Sequence, residues 1–152
     1  MGSGKTSVGF VLADKLGLPF YDLDVMITST TGTDIATIFA EKGEPYFRQI
    51  ERANLIEMLS KDIFVLALGG GTQFFNEQIL HKSCTLVWLK TDLQSAIHRV
   101  QKQNIDRPLW QNNAKALEEL FVKRESVYQK ADIIVNSDDA IERVADAIID
   151  RL

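Results

Sequence analysis

The residue order Gly2-Ser3-Gly4-Lys5-Thr6-Ser7 has the types and spacing of a phosphate-binding loop that runs directly into a helix. Glycines let backbone N–H groups converge on phosphate oxygens, Lys5 reaches the β- and γ-phosphates, and the Thr6 hydroxyl can ligate Mg2+. A helix N-terminus adds its partial positive charge. From Gly4 onward the chain matches the pattern GxxxxGK[ST], whose first glycine falls before Met1. A dinucleotide-type GxGxxG fingerprint fails, because Ser7 stands where its third glycine belongs. The competing reading is a flexible tail rich in Gly, Ser and Thr. It is disfavoured by the apolar helix that follows, carrying Val8, Phe10, Val11, Leu12, Ala13 and Leu16 and stopped by Gly17-Leu18-Pro19.

Four further groups have chemical potential. Asp22 and Asp24 stand two apart on a segment read as extended, so both project from one face, where paired carboxylates suit a metal and a substrate hydroxyl. Either is equally able to cap the next helix. Gly69-Gly70-Gly71 ends an apolar run and lets backbone N–H groups approach a hydroxylated ligand, although one glycine would serve a tight turn. Arg124 lies on an apolar stripe with Leu117, Leu120, Phe121 and Tyr128, and a guanidinium on a core-facing stripe needs an anion. Arg48, beside Phe47, is a similar case, with Glu44 or Glu51 as structural partners in the alternative reading. Arg107, in a polar stretch, is placed either to swing onto phosphates or to be solvated. His81 and His98 show no ligand spacing.

The elements that must position these groups alternate between strand and helix. Strands are expected over 20–24, 63–68, 85–89 and 133–135. Helices are expected after Lys5, over 25–31 with Gly32 closing, and from a Thr33 cap through Ile35, Ile38 and Phe39 to Gly43. A longer one runs from about Glu44 with Phe47, Ile50, Leu55, Met58 and Leu59 inward, and others cover 92–100 and 114–130. A terminal amphipathic helix carries Ile141, Val144, Ala145, Ile148 and Leu152. The run 63–68 is apolar throughout, as strands buried on both faces are. Residues 101–113 are polar and hold Arg107-Pro108, so they read as a mobile loop. The alternation predicts one α/β domain over 1–152 with a parallel sheet, and ligands in such sheets sit at the carboxyl ends of the strands.

Composition narrows the function. The 152 residues are 45% hydrophobic and 25% charged, with a net charge of −4 and no Lys/Arg run, which argues against nucleic acid or an anionic membrane as partner. One cysteine, Cys84, fits a reducing cytoplasm, and no apolar run reaches the length of a membrane span. A cytoplasmic monomer is expected.

Taken together, GSGKT, Asp22-Leu23-Asp24, Phe47-Arg48 with Glu51, Gly69-Gly70-Gly71, Arg107-Pro108-Leu109 and Arg124 with Tyr128 resemble shikimate kinase over almost the whole chain. The resemblance implies a nucleoside-monophosphate-kinase-like P-loop fold with helices on both faces of the sheet. It also implies transfer of the γ-phosphate of ATP to the 3-hydroxyl of shikimate, on the route to chorismate and the aromatic amino acids. By the same resemblance, residues 2–7 hold the nucleotide phosphates, with Thr6 and Asp22 near Mg2+. Asp24 faces the reacting hydroxyl, and Arg48 and Arg124 clamp the shikimate carboxylate. Gly70 and Gly71 meet a ring hydroxyl, Arg107 belongs to a lid at 101–113, and Arg99 lies on the adenine side. The rival readings are another small-molecule kinase of this fold, such as a gluconate kinase, and a nucleotide-binding remnant without turnover.

The resemblance also places a central strand before the P-loop, between the strands at 63–68 and 85–89. The expectation is that the natural protein begins about ten residues earlier, with Met1 internal, the alternative being a shortened, inactive product.

Overall fold

The computed structural model describes residues 3–92, 95 and 122–152. Gly2, Arg99, Arg107, the loop 101–113, the first part of the helix expected over 114–130 and most of that over 92–100 lie outside the described residues. In chain order the elements are α1 (Lys5–Leu16), β1 (Phe20–Asp22), α2 (Leu23–Thr31), α3 (Ile35–Leu59), β2 (Val65–Ala67), α4 (Thr72–Ser83) and β3 (Val87–Lys90). They continue with a helical stretch at 122–128, here α5, then β4 (Ile133–Asn136) and α6 (Ile141–Ile149).

β1 pairs in parallel with β2, Tyr21 opposite Leu66, and β3 pairs in parallel with β4, Trp88 opposite Ile134. Parallel neighbours require a crossover, which α2 and α3 supply for the first pair. On β2, successive side chains enter different cores. Val65 packs with Val8, Leu12, Leu89 and Ile148, whereas Leu66 packs with Leu23, Ile27, Leu55 and Leu80. Helices therefore cover both faces, as the apolar run at 63–68 predicts. Full burial of side chains such as Leu23 and Ile27 contributes about 1.5–3 kcal/mol each. The two strand pairs share no ladder. α1 links them by packing on β1, on β2 and on α6, which lies against β4. A cavity of about 620 Å3 is lined by Val65 and Leu66 of β2 and by Val87 and Trp88 of β3.

Several expectations change. Asp24 is not on an extended segment with Asp22, because β1 stops at Asp22 and α2 begins at Leu23. The Asp22 carboxylate accepts from the N–H groups of Asp24 and Val25 and so turns the chain into the helix. Asp34, not Thr33, caps α3, accepting from the Thr37 N–H at 2.9 Å and the Thr37 hydroxyl at 2.7 Å. The two helices expected on either side of Gly43 are both present, meeting there within α3. Gly43 has φ 78° and ψ 170°, which only glycine adopts without strain, and Pro45 suits the new first turn because it has no N–H to leave unpaired. β2 is shorter than the apolar run, with Ile63 77% exposed, and Phe10 on the apolar α1 is 63% exposed. α4 has no counterpart in the sequence reading. It follows Gly71 with no side-chain cap and is interrupted at Asn76, so neither a start signal nor a clean period marks it.

Candidate active site

The phosphate end is built by α1 packing on β1. That contact brings the first turn of α1 to the carboxyl end of β1, and the Thr6 hydroxyl donates to Asp22 Oδ2 at 2.8 Å. Asp22 thus divides its oxygens, Oδ1 capping α2 and Oδ2 meeting Thr6. Gly4 precedes α1, Lys5 opens it, Ser3 is buried beneath, and Ser7 points to solvent.

The acceptor end centres on a carboxylate with no solvent contact. Glu51 is 0% exposed, and its Oε2 accepts from Arg48 Nη1 at 2.8 Å while Oε1 accepts from the Thr72 hydroxyl at 2.6 Å. Arg48 also donates through Nε and Nη2 to Glu44 Oε1, at 3.1 and 2.9 Å. Its guanidinium lies over the rings of Phe75 at 4.3 Å and Phe47 at 5.0 Å. The structural partners of Arg48 are therefore both Glu44 and Glu51, and they fix the plane of the fork.

The triple glycine passes between these groups, with no room for a side chain at Gly71 and little at Gly69. A Cβ at Gly71 would lie 2.5 Å from Arg48 Nη2, and one at Gly69 would lie 3.0 Å from Asp24 Oδ1 and 3.1 Å from Thr72 Oγ1. The chain does make a tight turn here, the Thr72 N–H donating to the Gly69 carbonyl at 3.1 Å, but a turn alone needs one glycine and space is short at two positions. From the other side, the Tyr128 hydroxyl donates to the Gly70 carbonyl. Burial pushes the Tyr128 phenol up, against the pull of the Arg124 and Arg48 guanidinium groups, so it stays a donor at neutral pH. Arg124 and Tyr128 line the same cavity as Ser3, Lys5, Gly69 and Gly70.

Of the residues expected at the site, Lys5, Thr6, Asp22, Asp24, Arg48, Gly70, Gly71 and Arg124 are brought together in this way. Gly2, Arg99 and Arg107 lie outside the described residues. Thr72 went unanticipated, and so did the full burial of Glu51. The signal for Glu51 was its place on the stripe of Phe47, Leu55 and Met58, all buried.

A model of the shikimate kinase family matches residues 1–152. The chain belongs to the shikimate kinase family. A shikimate kinase of Persephonella marina is 39% identical over 140 residues, covering 91% of this chain and 85% of the relative. One of Pseudomonas fluorescens is 37% identical, covering 100% and 91%. The crystal structure of shikimate kinase from Aquifex aeolicus superposes with a TM-score of 0.86 at 31% identity, over 99% of this chain and 90% of that one. Shikimate kinase from Acinetobacter baumannii, in complex with shikimate, superposes at 0.90 with 34% identity, over 98% and 86%. The P-loop kinase fold expected from the sequence is thereby established.

Shikimate kinases use ATP and Mg2+. Mg2+ takes hard oxygen ligands, commonly one or two from the protein beside phosphate oxygens and water. Thr6 Oγ1 and Asp22 Oδ2, 2.8 Å apart at the start of α1, are donors of that kind, so the residues present fit the ion.

Proposed function

We propose that this chain transfers the γ-phosphate of ATP to the 3-hydroxyl of shikimate, giving shikimate 3-phosphate and ADP. The observation that supports the reading is the glycine loop set between Asp24 and Arg48, which borders the cavity that Lys5 and Arg124 both line. Phosphoryl transfer asks a protein chiefly for alignment and charge stabilisation. Lys5 and the N-terminal turn of α1 hold the phosphates. Arg48 and Arg124 offer forked donors to the carboxylate of a small polyol, and the backbone of Gly70 and Gly71 meets a ring hydroxyl.

With the acceptor held there, its hydroxyl oxygen bonds to the γ-phosphorus while the bond from phosphorus to the β–γ bridging oxygen breaks. ADP leaves with that electron pair, and the hydroxyl proton passes to the Asp24 carboxylate. Mg2+, when bound by Thr6 and Asp22, neutralises charge on the phosphates. The described residues of the site all come from one chain, in keeping with a monomer. Among the described residues no helix is long and apolar enough to cross a membrane, in keeping with a cytoplasmic enzyme.

The test is coupled ADP release with ATP, Mg2+ and either shikimate or gluconate. Turnover dependent on shikimate is the expected result. Turnover with gluconate alone would overturn the acceptor assignment, and ATP binding without turnover on either would overturn the reaction.

A further inference from the structure

We infer that Thr72 is a positioning residue that sets the acceptor clamp by orienting Glu51. The inference rests on the reading of Arg48 as the carboxylate clamp. A buried carboxylate must have its oxygens satisfied, and Glu51 has a different element on each one. Oε2 takes Arg48 from the preceding turn of α3, and Oε1 takes Thr72, the first residue of α4. The Thr72 contact, at 2.6 Å, has the length of a charge-assisted O–H···O bond.

Thr72 donates to Oε1, and the guanidinium meets Glu51 only through Nη1 on Oε2. With Oε1 turned to Thr72, the fork does not close onto Glu51 through both of its amino groups. Nη2 instead lies toward Gly71 and Glu44, with the guanidinium plane over Phe75. Without the hydroxyl, Oε1 is unsatisfied. The carboxylate then gains most by rotating to take Arg48 with both oxygens, which draws the fork away from the glycine loop. Thr72 is also covalently the next residue after Gly71 and, like Glu51, is 0% exposed. One buried hydroxyl thus holds the loop that meets a ring hydroxyl and the arginine that meets the carboxylate in a common register.

The experiment compares Thr72→Val, which keeps the shape, with Thr72→Ser, which keeps the hydroxyl. Saturation kinetics are followed for both substrates, together with the 15N signals of the Arg48 guanidinium in the free protein. Thr72→Val is expected to raise the shikimate KM about tenfold, the effect of one hydrogen bond to a charged group. It should leave the ATP KM unchanged and free the rotation of the guanidinium, while Thr72→Ser restores both readouts. A Thr72→Val protein with wild-type shikimate KM and wild-type Arg48 signals, whatever its melting temperature, overturns the proposal. Altered Arg48 signals restored by Thr72→Ser, in a protein that never phosphorylates shikimate, support the positioning role while overturning the acceptor reading.

Discussion

The two halves of the molecule keep their interiors differently. Around α2, α3, α4 and the β1–β2 pair, Leu23, Ile27 and Leu55 share the core with buried Glu51, Asn54, Thr72, Gln73 and Asn76, each hydrogen-bonded. Around α1, α6 and the β3–β4 pair, the core is Val8, Leu12, Leu89, Val135, Val144 and Ile148. Its buried polar residues are Ser3, just before α1, and Thr91 and Ser137, just beyond the carboxyl ends of the strands. A polyol acid must be matched group by group, and the half proposed to meet it carries a network in which a lost partner costs about 1–3 kcal/mol. Phosphates can be met by backbone N–H groups and one lysine, and the half proposed to meet them is held mainly by apolar packing.

Mutations should separate the halves, and the largest effect tests chemistry on the packed side. Lys5→Met is expected to lower kcat about 10²–10³-fold by removing the charge that faces the phosphates. Its melting temperature should stay close to wild type, because Lys5 lies in the first turn of α1 and belongs to neither apolar core. Near-normal turnover in the coupled assay would break the division of roles. Next, Ile148→Ala should cost about 2–5 kcal/mol in denaturant unfolding by opening a cavity under α1, while the shikimate KM of the folded fraction stays the same. A selective rise in that KM would mean the halves are coupled more tightly than their separate cores suggest.

Smaller effects sharpen the acceptor side. Arg48→Lys and Arg124→Lys should each raise the shikimate KM about tenfold and leave the ATP KM alone, since an ammonium cannot reproduce a forked contact. For Arg48→Lys, saturation kinetics should also show lost selectivity, as Glu44 and Glu51 can no longer fix a plane. The smallest effect lies at the entrance to α3. Hydrogen bonds from the Thr37 hydroxyl and N–H hold the Asp34 carboxyl below its ordinary value. A depressed folded-state value contributes stability that is present above the unfolded pKa and lost as pH falls through the folded one. Acid titration of unfolding should show this limb below the usual carboxylate range, and Asp34→Asn should flatten it.

What the sequence revealed follows from the range of the forces involved. Helix ends set by neighbours were legible, as at Gly17, Gly32 and Gly43, because a positive φ leaves a local mark. The phosphate loop was legible for the same reason, since its backbone, lysine and hydroxyl are contiguous. Glu51 was legible as a partner of Arg48, three residues away on one helix. The Thr72 bond to Glu51 was not, because it joins residues 21 apart on different elements and leaves no periodic trace. Asp22 and Asp24 were found but misplaced. A short strand and a capped helix look alike until it is known whether the aspartate accepts from its own N–H neighbours, and Asp22 does.

The narrow passage at Gly69 and Gly71 also governs how this chain can vary. Every base change that replaces a glycine codon with another amino acid introduces a Cβ, and at these two positions that atom meets Asp24 Oδ1 or Arg48 Nη2 before it meets any apolar neighbour. A flexible arginine can yield, so such a variant at Gly71 would accumulate as folded protein with its carboxylate clamp displaced. With Arg48 in its proposed role, selection at the loop acts on the reaction, and stability screens of a mutant library would pass over the position that a growth screen eliminates.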